Sequence, residues 1–184
     1  MIIKITPEIL KENMLTKKEV TQLCTASFYK HPKGCPNYNK KEGCPPNQPL
    51  IDEILDFQRD LFAIYTEFNV GEFAEKIKSA HPDWKSPRQW YNPRYWQPKA
   101  RKFQRQEEKN AKEEYSLDVI LNSPEANGLN VTGLMKEIGI AMKWNWPPEH
   151  NTENKEYLKN SVYLISLGGF ALDNNERHNE KYER

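Results

Sequence analysis

A chain of 184 residues with a formal net charge of +1 is long enough for one domain with a substantial core and short for two. So small a charge excludes bulk attraction to nucleic acid or to a membrane surface, and any partner must be sought in how the charge is distributed. Three cysteines cannot all pair within one chain, the start "MIIKITPEIL" has no long apolar run, and no stretch reaches the roughly 20 apolar residues of a membrane span, so a soluble, cytoplasmic protein with reduced thiols is expected.

In chain order, "MIIKIT" reads as a short first strand. "TKKEVTQLC" reads as a helix opened by Thr16 and Glu19 at capping-box spacing, which puts Cys24 at a helix end. Residues 25–48 show no period and are rich in proline and lysine; a loop of about 24 residues inside a compact domain needs something to order it. "PLIDEILDF" predicts a short helix with Pro49 in its first turn, "LFAIYTEFN" a buried strand, and "GEFAEKIKSAHP" a helix stopped by Pro82. "DWKSPRQWYNPRYWQPKARK" reads as a second irregular stretch, followed by a polar helix from about Pro98 to Leu117 with Glu108/Lys112 and Lys109/Glu113 pairs. Asn130 is placed to cap a helix carrying Val131, Leu134, Met135 and Ile138 on one face, with Gly139 placed to stop it; "SVYLISLGG" is the last core strand. A strand feeding a helix predicts an α/β (or α+β) single domain over 1–172, with a small mixed sheet and flanking helices, and a flexible tail over 173–184.

Cys24, Cys35 and Cys44 all lie in or beside the unstructured loop. Thiolate-rich sites take tetrahedral zinc or iron–sulfur clusters. Structural zinc usually draws ligands from close pairs, and the spacings here are Cys-x10-Cys and Cys-x8-Cys, which suit a larger cluster wrapped by a long loop. A Cys3His zinc site with His31 as the fourth ligand is the alternative, as is a buried, purely structural Cys24 and a solvated His31.

"GCPNYNKKEGCPP" and the downstream "SPEANGLNVTGLMKEIGI" resemble a poorly characterised family of predicted metal-binding proteins. In that family a cysteine loop ends in Cys-Pro-Pro, and a later Pro-Glu-Ala-x-Gly segment leads into a short helix. The matching positions are Cys35, Cys44, Pro45 and Pro46, then Pro124, Glu125, Ala126, Gly128, Val131 and Gly139. The resemblance implies an iron–sulfur or other metal site at the cysteine loop. Where such proteins often carry further cysteines, this chain has Asn122 and Ser123, which puts a fourth cysteine ligand or a second metal site in doubt.

From Trp84 to Gln106 seven bases and no acid alternate with Trp90, Tyr91, Tyr95 and Trp96. Cations neutralise phosphates and flat rings stack on bases, so Arg88, Arg94, Trp96 and Arg101 are candidates for holding an anionic small molecule or RNA; the competing reading is that the rings cap the core beneath a solvated basic face. Glu125 is a candidate general acid or base if burial raises its pKa, and otherwise a turn residue. His81 and His150 are expected to be ordinary surface or helix-end histidines. The leading expectation is a 4Fe-4S protein with three cysteine ligands, whose open iron acts on an anionic or thiolated substrate; three-cysteine desulfurases are a chemical analogy. The alternatives are a non-enzymatic, zinc-stapled module that binds RNA or a nucleotide, and an electron carrier using a fourth ligand such as His31.

Overall fold

The computed structural model describes residues 1–27, 31–143, 146–151 and 153–173. Its sheet grows from the two β-rich runs the sequence marks. Strand β1 (Ile2–Ile5) is followed by helices α1 (Pro7–Glu12) and α2 (Lys17–Thr25), then strand β2 (Leu61–Asn69) and helix α3 (Val70–Ala80). Helices α4 (Pro87–Trp90) and α5 (Pro93–Tyr115) lead to strand β3 (Val119–Leu121), helix α6 (Val131–Glu137) and strand β4 (Ser161–Gly169). The strands lie in the order β1-β2-β4-β3 and every pairing is antiparallel. Helices and sheet therefore form one mixed α and β domain of the α+β kind. The expected mixed sheet is purely antiparallel in its pairings: β3, reached from β2 through α3–α5, runs in the same direction as β2, but β4 lies between them.

Alternation along β2 divides the core. Leu61, Ala63 and Tyr65 face Leu10, Ile51, Leu55, Leu129, Leu134 and Met135, while Phe62 and Ile64 face Ala111 and Leu117 beneath α5. Burying one such aliphatic side chain contributes about 1.5–3 kcal/mol. On the α5 side the interior is also polar: Gln104 donates to the Ile64 carbonyl at 2.9 Å and to Ser166 Oγ at 3.0 Å, and accepts from Thr66 at 2.9 Å, so every arm of that buried amide is engaged.

Two expectations are corrected. The segment expected to be irregular is helical. A Ser86/Gln89 capping box starts α4, and Asn92 caps α5 ahead of Pro93. Pro98 lies within α5 rather than starting it; the backbone bond its missing N–H forgoes is offset by burial of Trp96 and Ala100 against Val70, Phe73 and Ala74. The "PLIDEILDF" helix shrinks to a 3-10 turn, Ile51–Glu53, because the sheet end claims the following backbone: Asp56 N–H donates to Phe170 O at 2.9 Å and Leu55 bridges Ala171. Of the two ion pairs expected on α5, Lys109–Glu113 forms at 3.7 Å, whereas Glu108 accepts from Ser166 Oγ at 2.6 Å. The tail expected over 173–184 lies, apart from Asp173, outside the described residues. No helix among the described residues is long and apolar enough to cross a membrane.

Candidate functional site: a cysteine loop beside a basic cleft

The loop from His31 to Gln48 is a succession of tight turns. Gly34 N–H donates to His31 O, Tyr38 N–H to Cys35 O, Lys41 N–H to Asn37 O and Cys44 N–H to Lys41 O, all at 3.1–3.2 Å, and Asn39 N–H reaches Pro45 O at 2.8 Å. Gly34 and Gly43 supply the two left-handed glycine positions, φ +80° and +82°. The loop is fastened to the end of α2 at Cys24, whose carbonyl accepts Cys35 N–H at 2.7 Å. Gly34 lies against the same carbonyl so closely that a Cβ there would stand 2.5 Å from it.

These contacts hold Cys35 beside the Cys24 backbone, with Cys44 in the same turn-rich loop. All three cysteines are free and half-buried, so Cys24 is not the sealed core residue of the structural alternative. Burial pushes the Cys24 thiol up, and the neighbouring Cys35 and Cys44 push it further, because three thiolates in mutual range repel one another. Such a set is costly to ionise together without a cation, and its sulfur-only donor character fits a soft metal or cluster. No group of three His, Cys, Asp or Glu side chains among the described residues is arranged to hold a metal ion. His31 is half-buried at the start of the described part of the loop.

The Pro-Glu-Ala-x-Gly segment is tied to the chain on either side of the cysteine loop. Asn127, in the 3-10 turn Pro124–Asn127, donates to Pro49 O at 2.9 Å just past Cys-Pro-Pro, and Gly128 O accepts Leu15 N–H at 2.7 Å ahead of α2. Gly128, at φ +88°, is held where a Cβ would lie 2.8 Å from the Leu15 carbonyl.

Next to them is a cleft of about 750 Å³. Strand β3 covers only Leu167–Gly169 of β4, and the cleft opens along the remaining stretch, Ser161–Ser166. An uncovered strand edge offers backbone donors and acceptors to a ligand. Trp96, Arg101, Arg105 and Glu108 come from α5, Asn122, Ser123 and Glu125 from the turn after β3, Lys143 and Trp146 from the following loop, and Lys41 from the cysteine loop. Four cations thus face two carboxylates, one of which, Glu108, is engaged by Ser166. Trp96 is buried, with its indole N–H on Tyr91 O at 3.1 Å, and Trp146 leans on it at 5.7 Å between ring centroids while remaining 45 % exposed. The aromatics accordingly serve both readings: Trp96 caps the core and Trp146 presents a face to the cleft.

Arg88 and Arg94 are exposed and stand outside this lining, so the structure brings together two of the four predicted ligand-holding residues, Trp96 and Arg101. Arg105 and Lys41 belonged to the basic runs legible in the sequence; Lys143, Trp146 and the open β4 edge carried no local signal. Glu125 is both a turn residue and a cleft residue. Its side chain still meets water, yet the cleft walls displace enough of it to push the carboxyl above the ordinary carboxylate range, opposed by the backbone bond it accepts.

A carboxyl whose pKa is raised on folding binds protons more readily in the native state, so the stability it costs appears as pH rises from the unfolded toward the folded pKa. Glu125→Gln is therefore expected to raise the urea midpoint at neutral pH and to leave it unchanged at pH values below both pKa values. A midpoint difference constant across that range would place the carboxylate in ordinary solvent.

No protein-family profile matches the chain, nor does any curated protein or solved structure.

Proposed function

We propose that the protein is an iron–sulfur protein that binds a small anionic substrate in the cleft beside its cysteine loop. Cys24, Cys35 and Cys44 would hold a 4Fe-4S cluster and leave one iron without a protein ligand, which would supply Lewis-acid chemistry. The observation that supports the reading is that the long cysteine loop is fastened to the end of α2 by the Cys35 N–H to Cys24 O bond at 2.7 Å, which leaves the half-buried Cys24 thiol within electrostatic range of Cys35 and Cys44. The reduced thiols this requires accord with a cytoplasmic setting.

The chain's own residues supply the rest. Lys41, whose carbonyl takes the Cys44 N–H, carries the cysteine loop into the cleft wall. Arg101 and Arg105, one helical turn apart on α5, offer forked donors to a phosphate or carboxylate. Trp146 offers a ring face, and Glu125, with its raised pKa, holds a proton it can yield to or take from a bound group. A hollow of this volume accommodates one nucleotide-sized molecule rather than a run of RNA.

Adenosine monophosphate, which combines a phosphate with a flat ring, tests the cleft. Titrated by calorimetry into anaerobically purified protein at fixed ionic strength, it is expected to bind, with Arg101→Ala weakening the affinity roughly tenfold, as loss of one exposed charge-assisted hydrogen bond should. Arg94→Ala, outside the lining, is expected to leave it unchanged. Equal losses in the two variants, or no binding of the nucleotide or of inorganic phosphate, would remove the basic cleft as a substrate site.

A further inference from the structure

The open stretch of β4 turns backbone hydrogen-bonding groups into the cleft, and the register says which. On β2, Tyr65 N–H donates to Met1 O at 2.9 Å and so faces β1. Successive residues of a strand direct their backbone groups to opposite edges, so Ile64 and Thr66 face β4, where they stand against Ser166 and Leu164. Ser166, Leu164 and Val162 therefore bond toward β2, and Tyr163 and Ile165, between them, present N–H and C=O to the other edge. Gly169 has the same parity, and its carbonyl accepts Asp118 N–H at 3.2 Å on the β3 side. Strand β3 stops at Leu121, opposite Leu167, and no backbone group among the described residues bonds to the amides or carbonyls of Tyr163 and Ile165.

Every residue from Ser161 to Ser166 lines the cleft, although alternate side chains of a strand lie on opposite faces, so the hollow straddles the strand edge itself. The two faces differ. Val162 and Leu164 pack with Trp96 and Ala100 of α5, the helix that also brings Arg101 and Arg105 to the cleft. Tyr163 and Ile165 pack on the other face, as does Met142. Lys41, Arg101, Arg105 and Lys143 stand against Glu125 and Glu108, and Glu108 is already engaged by Ser166. A second copy of the chain joined edge to edge would set one basic wall against another, so the charge favours an acidic occupant.

We propose that the cleft takes an extended acidic peptide segment, which continues the line of β3 along β4 as an added strand. Running antiparallel to β4, its residues opposite Tyr163 and Ile165 exchange both backbone bonds with them and carry apolar side chains on the Met142 face. Those opposite Val162 and Leu164 carry carboxylates on the α5 face, where Arg101 and Arg105 supply the charge. The residue opposite Ser166 is neutral, because Glu108 is held there. This inference rests on the reading of the cleft as an anion site and names what carries the anion.

The peptide acetyl-Thr-Val-Glu-Val-Glu-amide matches that register, and methylating its backbone nitrogens tests the strand without altering the chain. Titrated by calorimetry into the full chain, purified anaerobically and held at fixed ionic strength, it is expected to bind. N-methylation of its two valines, whose amides meet Ile165 and Tyr163, is expected to weaken binding roughly tenfold or more, as loss of backbone hydrogen bonds should. N-methylation of its two glutamates, whose amides point away from β4, is expected to leave binding unchanged, and exchange of both glutamates for lysine to abolish it. No binding, equal losses on methylating either pair, or undiminished binding of the lysine peptide overturns the inference. Adenosine monophosphate bound by a protein that ignores the peptide overturns strand addition and leaves the anion reading standing, whereas failure of peptide, nucleotide and inorganic phosphate together removes both. A protein that sediments as a dimer and ignores the peptide assigns the edge to a second copy and overturns the inference likewise.

Discussion

Cys44→Ser is expected to yield a folded sheet with a colourless, metal-depleted cysteine loop. Cys44 sits where the loop closes: its N–H is held by Lys41 O, and the buried Pro45 beside it takes the Asn39 N–H through its carbonyl. Serine preserves that backbone and nearly the same volume while replacing a soft thiolate with a hard, protonated oxygen, so the loss is one of ligand chemistry rather than packing. Cys24→Ser and Cys35→Ser are expected to behave alike. In wild type, chelation is expected to speed amide exchange across residues 31–48 while leaving β2 and β4 protected, because the loop's bonds are local turns and the sheet core does not depend on them. In the serine variants that exchange is expected to be fast already and insensitive to chelator. Cys24→Ala that keeps full metal content would return Cys24 to a structural role.

The second large effect separates two glycines with nearly the same backbone. Gly34 and Gly43 have φ of +80° and +82°, so alanine at either costs about 1–2 kcal/mol from the left-handed conformation alone. At Gly43 nothing lies within 4 Å of the added Cβ, whereas at Gly34 it meets the Cys24 carbonyl at 2.5 Å and Thr25 backbone atoms at 2.8 Å. Those are backbone atoms at a helix end, which cannot swing aside as a side chain would, and overpacking of this kind adds about 1–3 kcal/mol. Gly34→Ala is therefore expected to detach the loop from α2, lengthen the Cys35 N–H to Cys24 O bond and lower metal occupancy, while Gly43→Ala retains the metal with a modest loss of loop stability. Metal content per chain, measured side by side in the two variants, decides the matter. Equal occupancy would mean that the Gly34–Cys24 contact does not shape the site.

Much of the frame was readable because local chemistry and tertiary packing agree. The β-branched and aromatic runs Leu61–Asn69 and Ser161–Gly169 are the paired central strands, Thr16 and Glu19 make the capping box that starts α2, and Asn130 caps α6 through the Gly133 N–H at 3.1 Å. The proline-rich segment after Trp84 reads as irregular from its composition but is helical. Pro87 and Pro93 instead occupy helix starts, and Pro98 is tolerated by the burial around it. What remained hidden depends on distant partners. The cleft exists because β3 stops at Leu121 and leaves part of β4 uncovered, a length relation no local window contains. The His150 side chain is buried beside Tyr91, 59 residues earlier, and Glu75 of α3. The cysteines were legible as a set because all three lie in or beside one long proline- and lysine-rich stretch, which folds as a succession of tight turns.

Iron, zinc and acid-labile sulfide, determined together on protein purified without oxygen, test the central claim most directly. Convergence of Cys24, Cys35 and Cys44 on a 4Fe-4S cluster predicts roughly four irons and four sulfides per chain with visible charge-transfer absorption. One zinc per chain, without sulfide and without colour, would contradict it.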